Sequence, residues 1–133
     1  MKKIEQLFAA LSDRTRLRLL NLMADGEVCV CFFIAVLGQP QPTISRHLAY
    51  LRNAGLVADR RDGKWIHYRV TPPADPALRK AFEAALQAIR SDAAFRNDLK
   101  RLQSACCSKN LRGAPRPANV PVDDVRPPRA ARN

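Results

Sequence analysis

Two pairs of cysteines carry the most reactive chemistry in this 133-residue chain. Cys29 and Cys31 are separated only by Val30, and Cys106 and Cys107 are adjacent. The thiolate is a nucleophile and a ligand suited to soft metals and metalloids. In a reducing compartment, tight cysteine pairs point to ligation or redox chemistry, not to structural disulfides. The opening Met1-Lys2-Lys3-Ile4-Glu5-Gln6 leads into an amphipathic segment and lacks the apolar core of a signal peptide, so a cytoplasmic location is expected. No run approaches the ~18 apolar residues of a spanning helix, and no membrane partner is expected. A lone cysteine in an apolar run is ordinarily a small buried hydrophobe, so it is the pairing that raises ligation as a reading.

The second chemical feature is charge. Lys and Arg number 23 against 12 Asp and Glu, a formal net charge of +11. A small chain this basic is suited to a polyanion, and nucleic acid leads. The length suits one domain with a modest core. Enzyme chemistry has little support. The chain has no Cys-x-x-Cys, no nucleotide-binding glycine loop, and no general base arranged around the thiols.

Helices with a small β-hairpin must position these groups. Ile4, Leu7, Phe8 and Leu11 recur at helical spacing. Ser12-Asp13 offers a cap for a second helix through Leu17, Leu19, Leu20, Leu22 and Met23, with a stop at Asp25-Gly26. The apolar stretch from Cys29 to Leu37 predicts a third, buried helix. Gly38-Gln39-Pro40-Gln41 reads as a turn, and Pro42 suits the first position of a helix running to about Asn53 and closing at Gly55. Leu56 to Arg61 and Lys64 to Val70 flank Asp62-Gly63, a strong hairpin signal. Within that second run, one of each of the pairs Trp65/Ile66 and His67/Tyr68 is expected to be core. A long helix is predicted from about Asp75 to Leu102, with a bend near Ser91-Asp92. Residues 1–107 are expected to form the domain. Residues 108–133, with five of the ten prolines, are expected to be a disordered tail.

Two helices joined by a short turn and followed by a basic hairpin describe a winged helix-turn-helix. Its second helix enters the major groove and presents its early residues to base edges. Gln41, Thr43, Ser45, Arg46 and His47 occupy that early region, while Ile44, Leu48 and Leu51 would face the core. Arg46 suits a guanine or a phosphate, and Gln41 an adenine or the backbone. His47 reads equally well as a satisfied surface residue. Arg60, Arg61, Lys64 and Arg69 line the hairpin, placed for phosphate or the minor groove. The bland alternative is a charged surface on a scaffold that binds protein.

Five segments, Phe8 to Leu17, Glu27 to Cys31, Gln41 to Leu48, Leu51 to Val57 and Arg61 to Val70, together resemble the ArsR/SmtB family of bacterial metal-responsive repressors. The likeness covers about residues 4 to 72. It implies a homodimer joined by the first and last helices. The dimer would bind palindromic double-stranded operator DNA when metal-free and release it when loaded. Cys29-Val30-Cys31 resembles the arsenite-sensing branch, which implies trivalent arsenic or antimony as inducer with no obligatory cofactor.

One departure stands out. In that branch an acidic residue follows the second cysteine and a third cysteine lies three positions after it; here those positions are Phe32 and Ile34. A third sulfur would have to come from Cys106 or Cys107, unless the site uses two thiols or the vicinal pair forms a site of its own. Zinc is a weaker candidate, because the last helix offers only Asp92 and Asp98 and no histidine. Cadmium, lead, thiol oxidation and persulfidation remain as alternative signals for the same fold. On a straight helix the Cys29/Cys31 offset of ~200° points the thiols apart, so joint ligation would require an extended or unwound start to the third helix.

Overall fold

The computed structural model describes residues 3–105. The helices are α1 (Lys3–Leu11), α2 (Arg14–Leu22), α3 (Val30–Leu37), α4 (Gln41–Asn53), α5 (Pro76–Arg90) and α6 (Ala93–Ala105). The strands are β1 (Val28–Cys29), β2 (Val57–Asp62) and β3 (Trp65–Val70), in one antiparallel sheet of order β1-β3-β2. This is the mainly helical architecture with a small hairpin that the patterning predicts.

The core is built where the apolar spacing demands it. Leu19, Leu20 and Leu22 of α2, Phe32 and Phe33 of α3, and Ile44, Leu48 and Leu51 of α4 are buried together. Phe82 of α5 and Leu102 of α6 close the cluster. Asp13 caps α2 by accepting from the Arg16 backbone N–H, satisfying a donor the helix cannot. The chain turns out of α4 at Gly55, where φ is +77°, and the Leu56 N–H donates to the Leu51 carbonyl. A side chain is strained at that φ, and glycine is not.

Several expectations shift. The apolar run does not begin as helix: Val28 and Cys29 pair with Tyr68 and His67 as a third strand, and α3 starts at Val30. Edge pairing to β3 satisfies backbone groups that a longer helix would have left at its own end. The second helix ends at Leu22, short of Asp25-Gly26. Pro42 is the second residue of α4 rather than the first, still within the turn that has no N–H partners to lose. In the hairpin Asp62 pairs with Trp65, so the two turn residues are Gly63 and Lys64, with Gly63 at φ +58°. His67 and Tyr68 are both buried, and Trp65 and Ile66 are both half-buried. Both faces of β3 are covered at that point, so strict alternation fails.

The predicted long helix is two helices. α5 ends at Arg90, Ser91 caps it, and Asp92 restarts the chain by accepting from the Ala94 N–H. The break lets α6 fold back on α2. Arg18 donates twice to Asp98, at 2.8 and 3.0 Å, and Asn21 donates to the Phe95 carbonyl at 3.0 Å. Asp98 is buried, and its carboxylate raises the Arg18 pKa mainly through this hydrogen bond. Among the described residues, no helix is long and apolar enough to cross a membrane.

Candidate functional site

The thiols meet at a change of backbone conformation. Cys29 is the residue before α3, with φ −70° and ψ 143°, and Cys31 lies in the first turn of that helix. One extended residue followed by helix undoes the divergence that an uninterrupted helix imposes. The Cys31 thiol donates to Cys29 Sγ across 3.2 Å. The thiols therefore converge with no ligand present, and the unwound start thought necessary for ligation belongs to the resting fold. Cys29 is fully buried and Cys31 half-buried. Burial, then the hydrogen bond to Cys29 and that neighbour's charge, pushes the Cys31 thiol up to about 12. Cys31 is thus protonated at neutral pH.

Phe32 is buried in the core and Ile34 packs against it, so the two positions that depart from the arsenite pattern are committed to packing. Among the described residues, no group of three or more His, Cys, Asp or Glu side chains is placed to hold a metal ion. Cys106 and Cys107, like the predicted tail, lie outside the described residues. They follow directly on Ala105, the last residue of α6, which packs against the core.

The reading face is distinct from the thiol site. Gln41, Ser45 and Arg46 are exposed on α4 and Thr43 is partly exposed, while Ile44 and Leu48 on the opposite side are buried. His47 turns toward the body. Its Nδ1 lies 3.4 Å from Arg16 Nη1 and 3.7 Å from Asp13 Oδ1. Arg16 is a junction that sequence reading did not single out. It donates to the Ala9 and Ala10 carbonyls and lies over the Tyr50 ring, 4.1 Å from its centre. A single arginine so joins the end of α1, the start of α2 and the middle of α4. Its only sequence signal is an arginine three residues beyond a capping aspartate.

On the wing, Arg61, Lys64 and Arg69 are exposed, with Lys64 lying over the Trp65 ring. Arg60 is also exposed, but Glu27 holds it through two hydrogen bonds of 2.6 and 3.2 Å. That contact lowers the Glu27 pKa, with burial opposing it. An exposed helix face and an exposed basic hairpin on one body make a surface able to follow a nucleic-acid groove.

Comparison with known proteins decides the family. Residues 13–59 match the model of bacterial regulatory proteins of the arsR family. The arsenical resistance operon repressor of Escherichia coli (strain K12) is 42% identical over 108 residues, spanning 80% of this chain and 92% of that protein. This chain belongs to the ArsR family. It is a transcriptional repressor of that family built on a winged helix-turn-helix. The arsenic resistance transcriptional regulator ArsR2 of Pseudomonas putida is 45% identical over 83 residues, covering 62% of this chain and 72% of the relative. Among solved structures, a homodimeric winged helix-turn-helix DNA-binding domain from Mycobacterium bovis superposes with a TM-score of 0.54 at 30% identity. The likeness covers 67% of this ArsR-family chain and 79% of that one.

Proposed function

We propose that this ArsR-family repressor binds double-stranded operator DNA as a homodimer and lets go when Cys29 and Cys31 capture trivalent arsenic or antimony. The observation that carries the reading is the 3.2 Å between the two sulfurs. An ion with sulfur bonds of about 2.3 Å, the zinc–thiolate length, and a bond angle near 90° would span about 3.3 Å, so the pair is spaced to chelate one centre. A third sulfur from Cys106 or Cys107 would complete a trivalent shell, from the same subunit or its partner.

Protonation favours a metalloid hydroxide over a divalent cation. When As(OH)3 condenses with a thiol, one S–As bond forms and one As–O bond breaks. The thiol proton leaves with the hydroxide as water. Cadmium or lead brings no such base and must drive the Cys31 proton into solvent against a pKa of about 12. Oxidation or persulfidation also starts from thiolate, which Cys31 holds back.

Gln41, Thr43, Ser45 and Arg46 are proposed to read base edges, with His47 at the margin. Arg60, Arg61, Lys64 and Arg69 are proposed to meet phosphate. Ile4 and Phe8, one turn apart and about half exposed on α1, supply apolar surface for the dimer. Residues 1–107 would then form the working domain, with 108–133 as its tail.

The test is titration of the reduced protein, bound to a duplex selected from a random pool, with sodium arsenite. X-ray absorption on the loaded protein then counts sulfurs around arsenic. Arsenite should release the DNA, and a count of three falling to two in Cys106→Ser/Cys107→Ser would place the vicinal pair in the shell. Release by peroxide or polysulfide but not by arsenite would overturn the reading.

A further inference from the structure

The short strand β1 ties the thiols to the wing as well as to α3. The register sets Cys29, His67 and Arg60 in one row across the sheet. Residues in such a row project from the same face. Glu27, two residues before Cys29, reaches across that row. It accepts both bonds from Arg60, and its Oε1 lies 3.8 Å from Nδ1 of the buried His67. Among the described residues Nε2 of that histidine has no hydrogen-bond partner, so no hydrogen bond on that side holds the ring against Glu27's movement. The residue before Arg60 makes the complementary contact: Asp59 accepts from Arg52, near the end of α4, at 3.2 Å. Consecutive residues of β2 are therefore held from two sides, one by the reading helix and one by the segment that carries Cys29.

We propose that Glu27 is a positioning residue that transmits thiol occupancy to the wing by gripping Arg60. The proposal rests on the metalloid reading of Cys29 and Cys31 and gives a route to DNA release through β1, separate from any displacement of α3, whose first turn holds Cys31. Only Val28 separates Glu27 from Cys29, a reach of at most about 7 Å, so a shift of the thiol is passed on with little slack. In the empty protein the ion pair fixes the wing strand against the body. The sulfurs already stand at chelating distance, so the displacement comes from the bulk of the ion and its further ligand beside the fully buried Cys29: β1 yields, Glu27 moves with it, and Arg60 loses the anchor that sets the wing on the phosphates.

A half-exposed ion pair carries a modest coupling. The expected loss is about two- to fivefold in the factor by which arsenite weakens DNA binding. The experiment measures duplex Kd with and without sodium arsenite for wild type, Glu27→Gln, Arg60→Gln and the double variant. Asp62→Asn serves as a wing-carboxylate control, with thermal unfolding run in parallel. A missing negative charge changes binding to phosphate in both the empty and the loaded protein, and so largely cancels in the ratio. The ratio should fall in each single variant, fall no further in the double, and hold its wild-type value in Asp62→Asn. An undiminished ratio in Glu27→Gln, with wild type responding to arsenite, overturns this coupling and leaves the metalloid reading standing. A wild-type protein that ignores arsenite overturns both.

Discussion

The reading face and the thiol junction obey different rules. On α4 and the wing, the side chains proposed to meet DNA point outward from regular elements whose opposite sides are core, as with Ile44 and Leu48 beneath Ser45 and Arg46. The thiols sit where regularity stops, at a strand of two residues giving way to a helix of eight. A surface that must follow a groove needs rigid, repetitive support. A site proposed to pass on its loading gains from lying at a boundary, where a small backbone change redirects the helix beyond it. α3 is the shared part: its first turn holds Cys31, and its end leads directly to Pro40 and α4.

If the two regions are separable, damage to one should leave the other intact. Arg46→Ala should weaken duplex binding by about 5- to 150-fold, the cost of one good side-chain–base contact, with arsenite affinity unchanged. Fluorescence anisotropy for DNA and isothermal titration for arsenite check the two halves. A joint loss would mean that α4 and the thiol junction form one cooperative unit.

Dependence on pH sharpens the contrast between metalloid and divalent ion. The folded-state pKa of Cys31 is raised to about 12, so below that value a divalent ion must displace its proton. Apparent cadmium affinity should climb about tenfold per pH unit for each thiol proton expelled between pH 6 and 8. Arsenite, which removes the proton as water, should vary less than about threefold over the same range. Parallel slopes would remove protonation from the choice of ligand.

The same shift has a stability consequence. The unfolded thiol ionises near its ordinary value of about 8.5, whereas the folded one stays protonated. The unfolded state therefore sheds protons first, and stability should decline as pH rises above about 9. Chemical denaturation at pH 7.5 and 10, wild type against Cys31→Ser, isolates this contribution. Equal declines in the two proteins would assign it elsewhere.

The smallest effect belongs to the wing. Lys64→Ala should reduce the salt dependence of DNA binding by about one released counterion, weakening affinity a few-fold whatever the duplex sequence. An unchanged slope would move Lys64 off the phosphate path.

Much of this was legible in the sequence because it is periodic or locally encoded. The spacing of Ile44, Leu48 and Leu51 fixes which side of α4 is buried, and therefore that Ser45 and Arg46 are exposed. Asp62-Gly63 marks the hairpin, although the pairing of Asp62 with Trp65 moves the turn by one residue. What escaped depends on contacts distant in the chain. Whether Val28 and Cys29 form strand or helix is decided by Tyr68 and His67, about forty residues on, and an apolar run is silent on that choice. The break at Ser91 goes with α6 folding back on α2, where Arg18 holds Asp98, a contact 80 residues apart in the chain. The grip of Glu27 on Arg60 likewise needs the three strands assembled before it exists.

Duplex affinity of the Cys29→Ser/Cys31→Ser variant, measured before and after sodium arsenite, bears most directly on the thiol junction as the switch. The affinity without arsenite should match wild type within about twofold, and arsenite should no longer release the DNA. Release at the wild-type arsenite concentration by a protein lacking both thiols would contradict it.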